Sequence, residues 1–301
     1  MLDVGVVGLD TSHPEKFAKI LGERPDATIA AVWDGGDVRD ESHTAAFCET
    51  HDAIRYDDPK KMIAAVDAAM VLTVNWETHC HLSVPFLEAG VPLLVDKPIA
   101  GTLSDVQAIG AVARDADTPL FGGSSLPFHP AVAALQETRA NDRDLTLHAG
   151  GYGDPFYYGA HLVDAVRRVI GHDWTRVESA DGPRQYVRVH FEDGSYATLR
   201  FDGASENAAF GFLAVGERTQ TAHVGSTVDE LERMYEPYLE TFLETARGER
   251  NDRETVLDAA ALLLAVQAAL AENSSVTRGE MAIETVDEDG AAFLAEYDPY
   301  Y

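Results

Sequence analysis

Residues 2–14 of the 301-residue chain read Leu2-Asp3-Val4-Gly5-Val6-Val7-Gly8-Leu9-Asp10-Thr11-Ser12-His13-Pro14. The apolar run at 2–8 predicts a buried strand and 14–21 a helix, so the chain opens on a strand–turn–helix unit. In a dinucleotide-binding turn this place holds G-x-G-x-x-G, whose second glycine lets backbone amides approach a pyrophosphate. Only Gly8 is present; Asp10 takes the second glycine's position and His13 the third's. A carboxylate at position 10 is expected to repel the pyrophosphate. Thr11 and Ser12 offer hydroxyl donors in compensation, and the helix start offers free N–H groups. The same segment also fits a capping box, Ser12 with Glu15 and Pro14 in the first turn, which would be a purely structural use of it.

The pattern continues outward from there. Strands are expected at 28–33, 69–74, 92–95 and 119–121, with helices at 79–88, stopped by Gly90, and at 104–114. Buried apolar strands alternating with helices predict an α/β fold, here a Rossmann-like, doubly wound parallel sheet. Gly122-Gly123-Ser124-Ser125 marks the boundary, giving domains 1–122 and 123–301. The second half changes character. A helix near 129–138, a strand at 145–151 and a helix at 159–170 lead into strand-like runs at 176–180, 185–191, 196–201, 210–215 and 219–224. Glu192-Asp193-Gly194-Ser195 signals a hairpin. Long helices at 229–247 and 253–271, joined through Gly248, complete an α+β domain with a mostly antiparallel sheet. No role is read in the acidic tail that ends Tyr297-Asp298-Pro299-Tyr300-Tyr301.

Lys and Arg total 23 against 51 Asp and Glu, a net charge of −28. Such a polyanion repels nucleic acid and anionic membranes, so neither is expected as a partner. The 46% of hydrophobic residues suffices for real cores. Two cysteines, Cys48 and Cys80, make no disulfide framework and fit a reducing compartment. The start lacks the basic region of a signal peptide, and the longest apolar run, 259–266, is too short to span a bilayer, so a cytoplasmic protein is expected. Only five of the 23 cations are lysines, and the acids are spread along the whole chain. This texture points to adaptation to high salt, where repulsion between carboxylates is screened.

Asp34 closes the second strand, 26 residues after Gly8. An acid there can accept hydrogen bonds from the ribose hydroxyls of NAD and repels the extra phosphate of NADP; its structural alternative is a turn residue. Lys97 follows the strand at 92–95 and is the only lysine beyond position 61. A cation at the carboxyl end of a parallel strand lies in the crevice where such sheets bind ligands. His161 and Asp164 share a helical face, and histidine exchanges protons near neutral pH. His79-Cys80-His81 has no second ligand cluster to accompany it, so no metal site is expected.

These residues together resemble the Gfo/Idh/MocA oxidoreductases, a family that includes glucose–fructose oxidoreductase and inositol dehydrogenase. Asp96-Lys97-Pro98 is similar to the family's E-K-P signature, with Asp for Glu. Thr73, Asn75 and His79 fall on its T-P-N-x-x-x-H-like stretch, with the matching spacing to Gly90. Phe128-His129-Pro130 resembles the segment after the family's sixth strand, and Gly159-Ala160-His161-Leu162-Val163-Asp164 its G-x-H-x-x-D ending. Tyr157 stands where the family often has Asp, and the usual preceding glycine run is missing.

The resemblance implies an NAD-dependent oxidoreductase in which a hydride passes between nicotinamide and a carbon bearing a hydroxyl, on a sugar or polyol. It implies His161 as general base, Lys97 as hydrogen-bond donor to the same oxygen, Asp164 as an orienting group and Tyr157 as an assistant or substitute proton donor. Gly8, Asp10, Thr11, Ser12, Asp34, Thr73, Asn75, His79 and Lys97 are the expected cofactor contacts. NAD is expected over NADP, a small molecule as the only other ligand, and a homo-oligomer formed through the second domain's sheet. The alternative is a member of the family that has lost cofactor binding and serves as a ligand-binding or regulatory protein, a reading that rests on Asp10. A third is elimination or epimerisation with NAD recycled in place.

Overall fold

The computed structural model describes residues 1–139, 144–180, 185–201, 209–225 and 227–298; Pro299, Tyr300 and Tyr301 of the tail lie outside them. The first domain runs β1 Leu2–Val7, α1 His13–Gly22, β2 Ala27–Trp33, α2 Glu41–His51, β3 Ile54–Arg55, β4 Ala68–Val71, α3 Glu77–Glu88, β5 Leu93–Val95, α4 Leu103–Asp115 and β6 Leu120–Gly122. Its six strands are all parallel, in the order β3-β2-β1-β4-β5-β6. The order reverses at β1, so the turns after β1 and β4 flank the crevice where doubly wound sheets bind ligands. β4 and β5 are buried throughout because helices cover both faces, which explains their unbroken apolar runs. The expected strand at 69–74 ends at Val71, and residues 72–76 form the turn. α2 and β3 lack the apolar periodicity that would have predicted them: only Thr44 and Phe47 of α2 are buried, and both β3 residues are exposed.

The second domain comprises α5 Pro130–Arg139, β7 Thr146–Gly151, α6 Gly159–Ile170, β8 Trp174–Ser179, β9 Gln185–Phe191, β10 Tyr196–Phe201, β11 Ala209–Val215, β12 Thr219–Gly225, α7 Val228–Glu232, α8 Tyr235–Ala246, α9 Arg253–Glu272, β13 Ser275–Thr277 and α10 Gly290–Glu296. Its sheet has the order β12-β11-β7-β10-β9-β8-β13, antiparallel except where β7 and β10 pair in parallel. The expected helix at 229–247 is two helices. The Pro237 ring in a continuous helix would clash with the carbonyl of Arg233, so the helix stops there and restarts with Pro237 in the first turn of α8. α9 is long and apolar enough to cross a membrane, yet its apolar residues are buried against α4, α6 and β8, where it ties the two domains together.

Candidate active site

The turn after β1 is held by side chains that face inward. Gly8 has φ +96°, and a Cβ there would lie 2.6 Å from Thr73 Cγ2, so only glycine lets this turn approach the one after β4. Asp10 is buried, and its Oδ2 accepts a hydrogen bond from Val74 N at 2.8 Å. The expected repulsion between this carboxylate and a pyrophosphate is therefore corrected: Asp10 braces the two turns from within. Burial is the main reason its carboxyl is pushed up to about 6, against the opposing Val74 bond. The capping box is also corrected. Ser12 makes no side-chain cap, and Thr11 Oγ1 accepts from His13 N at 3.2 Å instead. Asp34 Oδ1 accepts from Leu9 N (2.9 Å) and Oδ2 from Gly36 N (3.1 Å), so this acid closes both its own turn and the turn after β1 while staying partly exposed.

The residues after β4 serve mainly as braces. Thr73 Oγ1 lies 2.6 Å from Thr78 Oγ1, and Asn75 Oδ1 accepts from Glu77 N at the start of α3. His79 is fully buried between two carbonyls, its Nε2 2.9 Å from Thr73 O and its Nδ1 3.2 Å from Ile99 O. Burial keeps the ring neutral, with a pKa below the ordinary histidine value. This geometry corrects its place among the cofactor contacts: the neutral ring is buried between the β4 turn and the Asp96-Lys97-Pro98-Ile99 turn, donates to one of the two carbonyls, and has no exposed surface.

Lys97 and His161 come together. One is delivered by the end of β5 and the other by the first turn of α6, and both line a cavity of about 230 Å³ shared with Thr11, Ser12, His13 and Tyr157. The open crevice expected around Lys97 is closed: the residue is 6% exposed, and its Nζ lies 3.0 Å from the centre of the Tyr157 ring. Phe293 of α10 stacks on the same ring, centre to centre 4.3 Å. Burial brings the lysine down to about 7, against the pull of Asp96 and Asp154. Asp154 Oδ1 accepts from Phe156 N and Tyr157 N, at 2.9 and 2.7 Å, and so fixes the turn that carries Tyr157.

His161 Nδ1 lies 2.6 Å from Ser124 Oγ, which also accepts from Leu126 N at 3.0 Å. Burial, then the Lys97 charge, holds the imidazole well below its ordinary pKa, so it is neutral at neutral pH. Asp164 is turned away from the cavity and accepts a hydrogen bond from Ser124 N. Its carboxyl, raised by burial to about 6, fills the space beside Gly123, where a Cβ would meet it at 2.5 Å. Asp164 therefore orients Ser124, and Ser124 orients His161.

Three contributors escaped the sequence. Ser124 looked like a linker residue. His13 stands in the third glycine's position, where its Nδ1 meets Asp96 Oδ2 at 2.7 Å and its ring stacks on Phe17 at 5.0 Å. The chain end folds back over the site: Trp76 Nε1 donates to Glu288 O at 2.6 Å, Gly290 N to Glu77 Oε1 at 3.1 Å, and Tyr297 reaches the cavity. A larger cleft of about 350 Å³ lies between α1 and α8, but its walls are charged side chains such as Lys16 and Glu232 paired to each other, away from this chemistry.

Residues 2–123 match the model of an oxidoreductase family with an NAD-binding Rossmann fold. The chain is similar to inositol 2-dehydrogenase 2 of Paenarthrobacter aurescens, 27% identical over 66% of this chain and 64% of that one. It is also similar to inositol 2-dehydrogenase 4 of Saccharopolyspora erythraea, 24% identical over 92% of this chain and 95% of the other. The crystal structure of a myo-inositol dehydrogenase from Corynebacterium glutamicum superimposes with a TM-score of 0.79 at 16% identity, covering 93% of this chain and 99% of that one.

Proposed function

Since the chain belongs to the Gfo/Idh/MocA oxidoreductase family, we propose that it oxidises the CH–OH group of a sugar- or polyol-like compound with NAD. The observation that carries this reading is the meeting of Lys97 and His161, one from each domain, in a cavity that opens onto the turn after β1.

The residues present fit the cofactor. Asp10 is turned onto Val74 N and away from the start of α1, and the Ser12 hydroxyl is not spent on capping. Gly8, Thr11 and Ser12 would hold the diphosphate at the helix N-terminus. Asp34 would accept from the adenosine ribose, and its negative charge favours NAD over NADP. When bound, NAD supplies the hydride acceptor.

The chain's own part is proton handling and placement. In the tautomer with Nδ1–H directed at Ser124 Oγ, His161 Nε2 is free to take the substrate's hydroxyl proton. A neutral imidazole at working pH suits that role. Lys97 donates to the same oxygen and stabilises the negative charge that develops there. Tyr157 and Phe293 cover the lysine and keep water from it. The test is formation of NADH from a panel of sugars, polyols and their acids in molar salt, with NADP in parallel. High salt is chosen because the net charge of −28 self-repels when unscreened.

A further inference from the structure

We propose that the substrate carries a carboxylate close to the carbon that is oxidised, so that the compound is a sugar acid or polyol acid and not a neutral sugar. The inference rests on the oxidoreductase reading of the same cavity.

The chain carries 51 acidic and 23 basic residues, yet no Asp or Glu is among the described residues that line this cavity. Lys97, His13 and His161 all do. The carboxylates nearby are each turned into the protein onto an N–H group. Asp96 meets His13 Nδ1, Asp154 takes two backbone amides, Asp164 takes Ser124 N and Asp10 takes Val74 N. In so acidic a chain, a cavity lined by no carboxylate and by the Lys97 ammonium group makes a local surface that favours anions.

Lys97 makes the point most sharply. Among the described residues no carboxylate lies within ion-pair distance of its Nζ, which sits 3.0 Å from the centre of the Tyr157 ring. A buried cation with no carboxylate in direct contact is costly: Asp96 and Asp154 attract Lys97 from beyond ion-pair distance, and burial outweighs them in bringing its pKa down to about 7. A carboxylate on the substrate would restore the charge. His13 is held ready for the same carboxylate. Asp96 Oδ2 accepts from Nδ1 and Phe17 fixes the ring plane, so it is the doubly protonated ring that presents an Nε2–H to a carboxylate. Thr11 and Ser12 are left for the cofactor's diphosphate and are not counted here. A neutral polyol would bring only hydroxyls and leave Lys97 with no carboxylate in direct contact.

The oxidation itself is balanced as for any carbinol. The C–H electron pair leaves as hydride to NAD, the hydroxyl proton goes to His161, and a carbonyl forms while the carboxylate is unchanged.

The experiment compares hexuronates and aldonates with the matching neutral hexoses, inositol and hexose phosphates, at one fixed salt concentration. NADH formation and the thermal shift of the NAD-loaded protein are both read. The acids are expected to exceed the neutral compounds by about tenfold or more in kcat/KM, the equivalent of one modest ion pair. They alone are expected to raise the melting temperature, and His13→Gln is expected to shrink the acid-to-neutral ratio severalfold. Equal or better use of neutral compounds or of phosphates, no thermal shift from any acid, or an unchanged ratio in His13→Gln overturns the carboxylate proposal. Acid-specific stabilisation without NADH from any compound supports the anion site and counts instead against the dehydrogenase reading.

Discussion

Ser124 Oγ lies 2.6 Å from His161 Nδ1, and this one bond joins the turn leaving the first domain's last strand to the histidine of the second domain. Asp164 holds the serine from behind through Ser124 N. The orientation of the proposed base therefore depends on a residue outside the lining of the cavity.

Ser124→Ala removes the partner of both His161 Nδ1 and Leu126 N. An unsatisfied buried group costs about 1–3 kcal/mol. If that loss appears in the transition state, kcat falls about 10- to 100-fold at little change in NAD affinity. The alkaline shoulder of the pH–rate profile is expected to stay while the acid limb moves. Unchanged kcat with an unchanged acid limb would show that His161 is held by other means.

Lys97 gives a stability prediction with a definite sign. Its pKa is about 7 in the folded chain and near 10.5 in the unfolded one. Between those values the unfolded state binds more protons, so this group lowers stability progressively as pH falls from 10.5 to 7 and then no further. Lys97→Met is therefore expected to melt higher than the wild type at pH 7, with the difference shrinking towards pH 10. Thermal melts of the two proteins across that range check it; a parallel pair of curves would mean the lysine is charged and solvated.

How much of this was legible in the sequence depended on what kind of signal each residue left. The parallel sheet was readable because β4 and β5, covered on both faces, leave unbroken apolar runs; α2 was not, since it buries only Thr44 and Phe47. Lys97, His161 and Asp164 stood out by type and place. The direction in which side chains point leaves no trace in one sequence. Asp10 and His79 therefore read as cofactor contacts although both are buried braces, and Ser124 read as a linker.

Asp10 reverses an expectation. An exposed carboxylate in this turn would mean that Asp10→Gly tightens NAD binding, most of all at low salt. A buried one bonded to Val74 N means that the variant loosens the turn, so NAD affinity falls and depends little on salt. Calorimetric titration with NAD at two salt concentrations, with folding monitored, distinguishes the two. Its carboxyl and that of Asp164 are both raised to about 6, above the unfolded value of 3.8. Their contribution is accordingly greatest below pH 4 and is lost as pH rises through 6. Asp10→Asn is expected to remove its share of that slope, as melting between pH 4 and 7 would show.

In the proposed reaction Lys97 and His161 act on one hydroxyl group while the carbon that bears it gives up its hydride to NAD. The most direct measurement is the rate of NADH formation by the wild type and by His161→Asn and Lys97→Ala, with the best substrate of the panel and NAD saturating. The account predicts NADH from the wild type and a loss of about 10²–10³ in kcat for each variant, as expected when a positioned charge or proton acceptor is removed from a closed site. Near-normal turnover by either variant, or a wild type that binds no NAD at any salt, would contradict it.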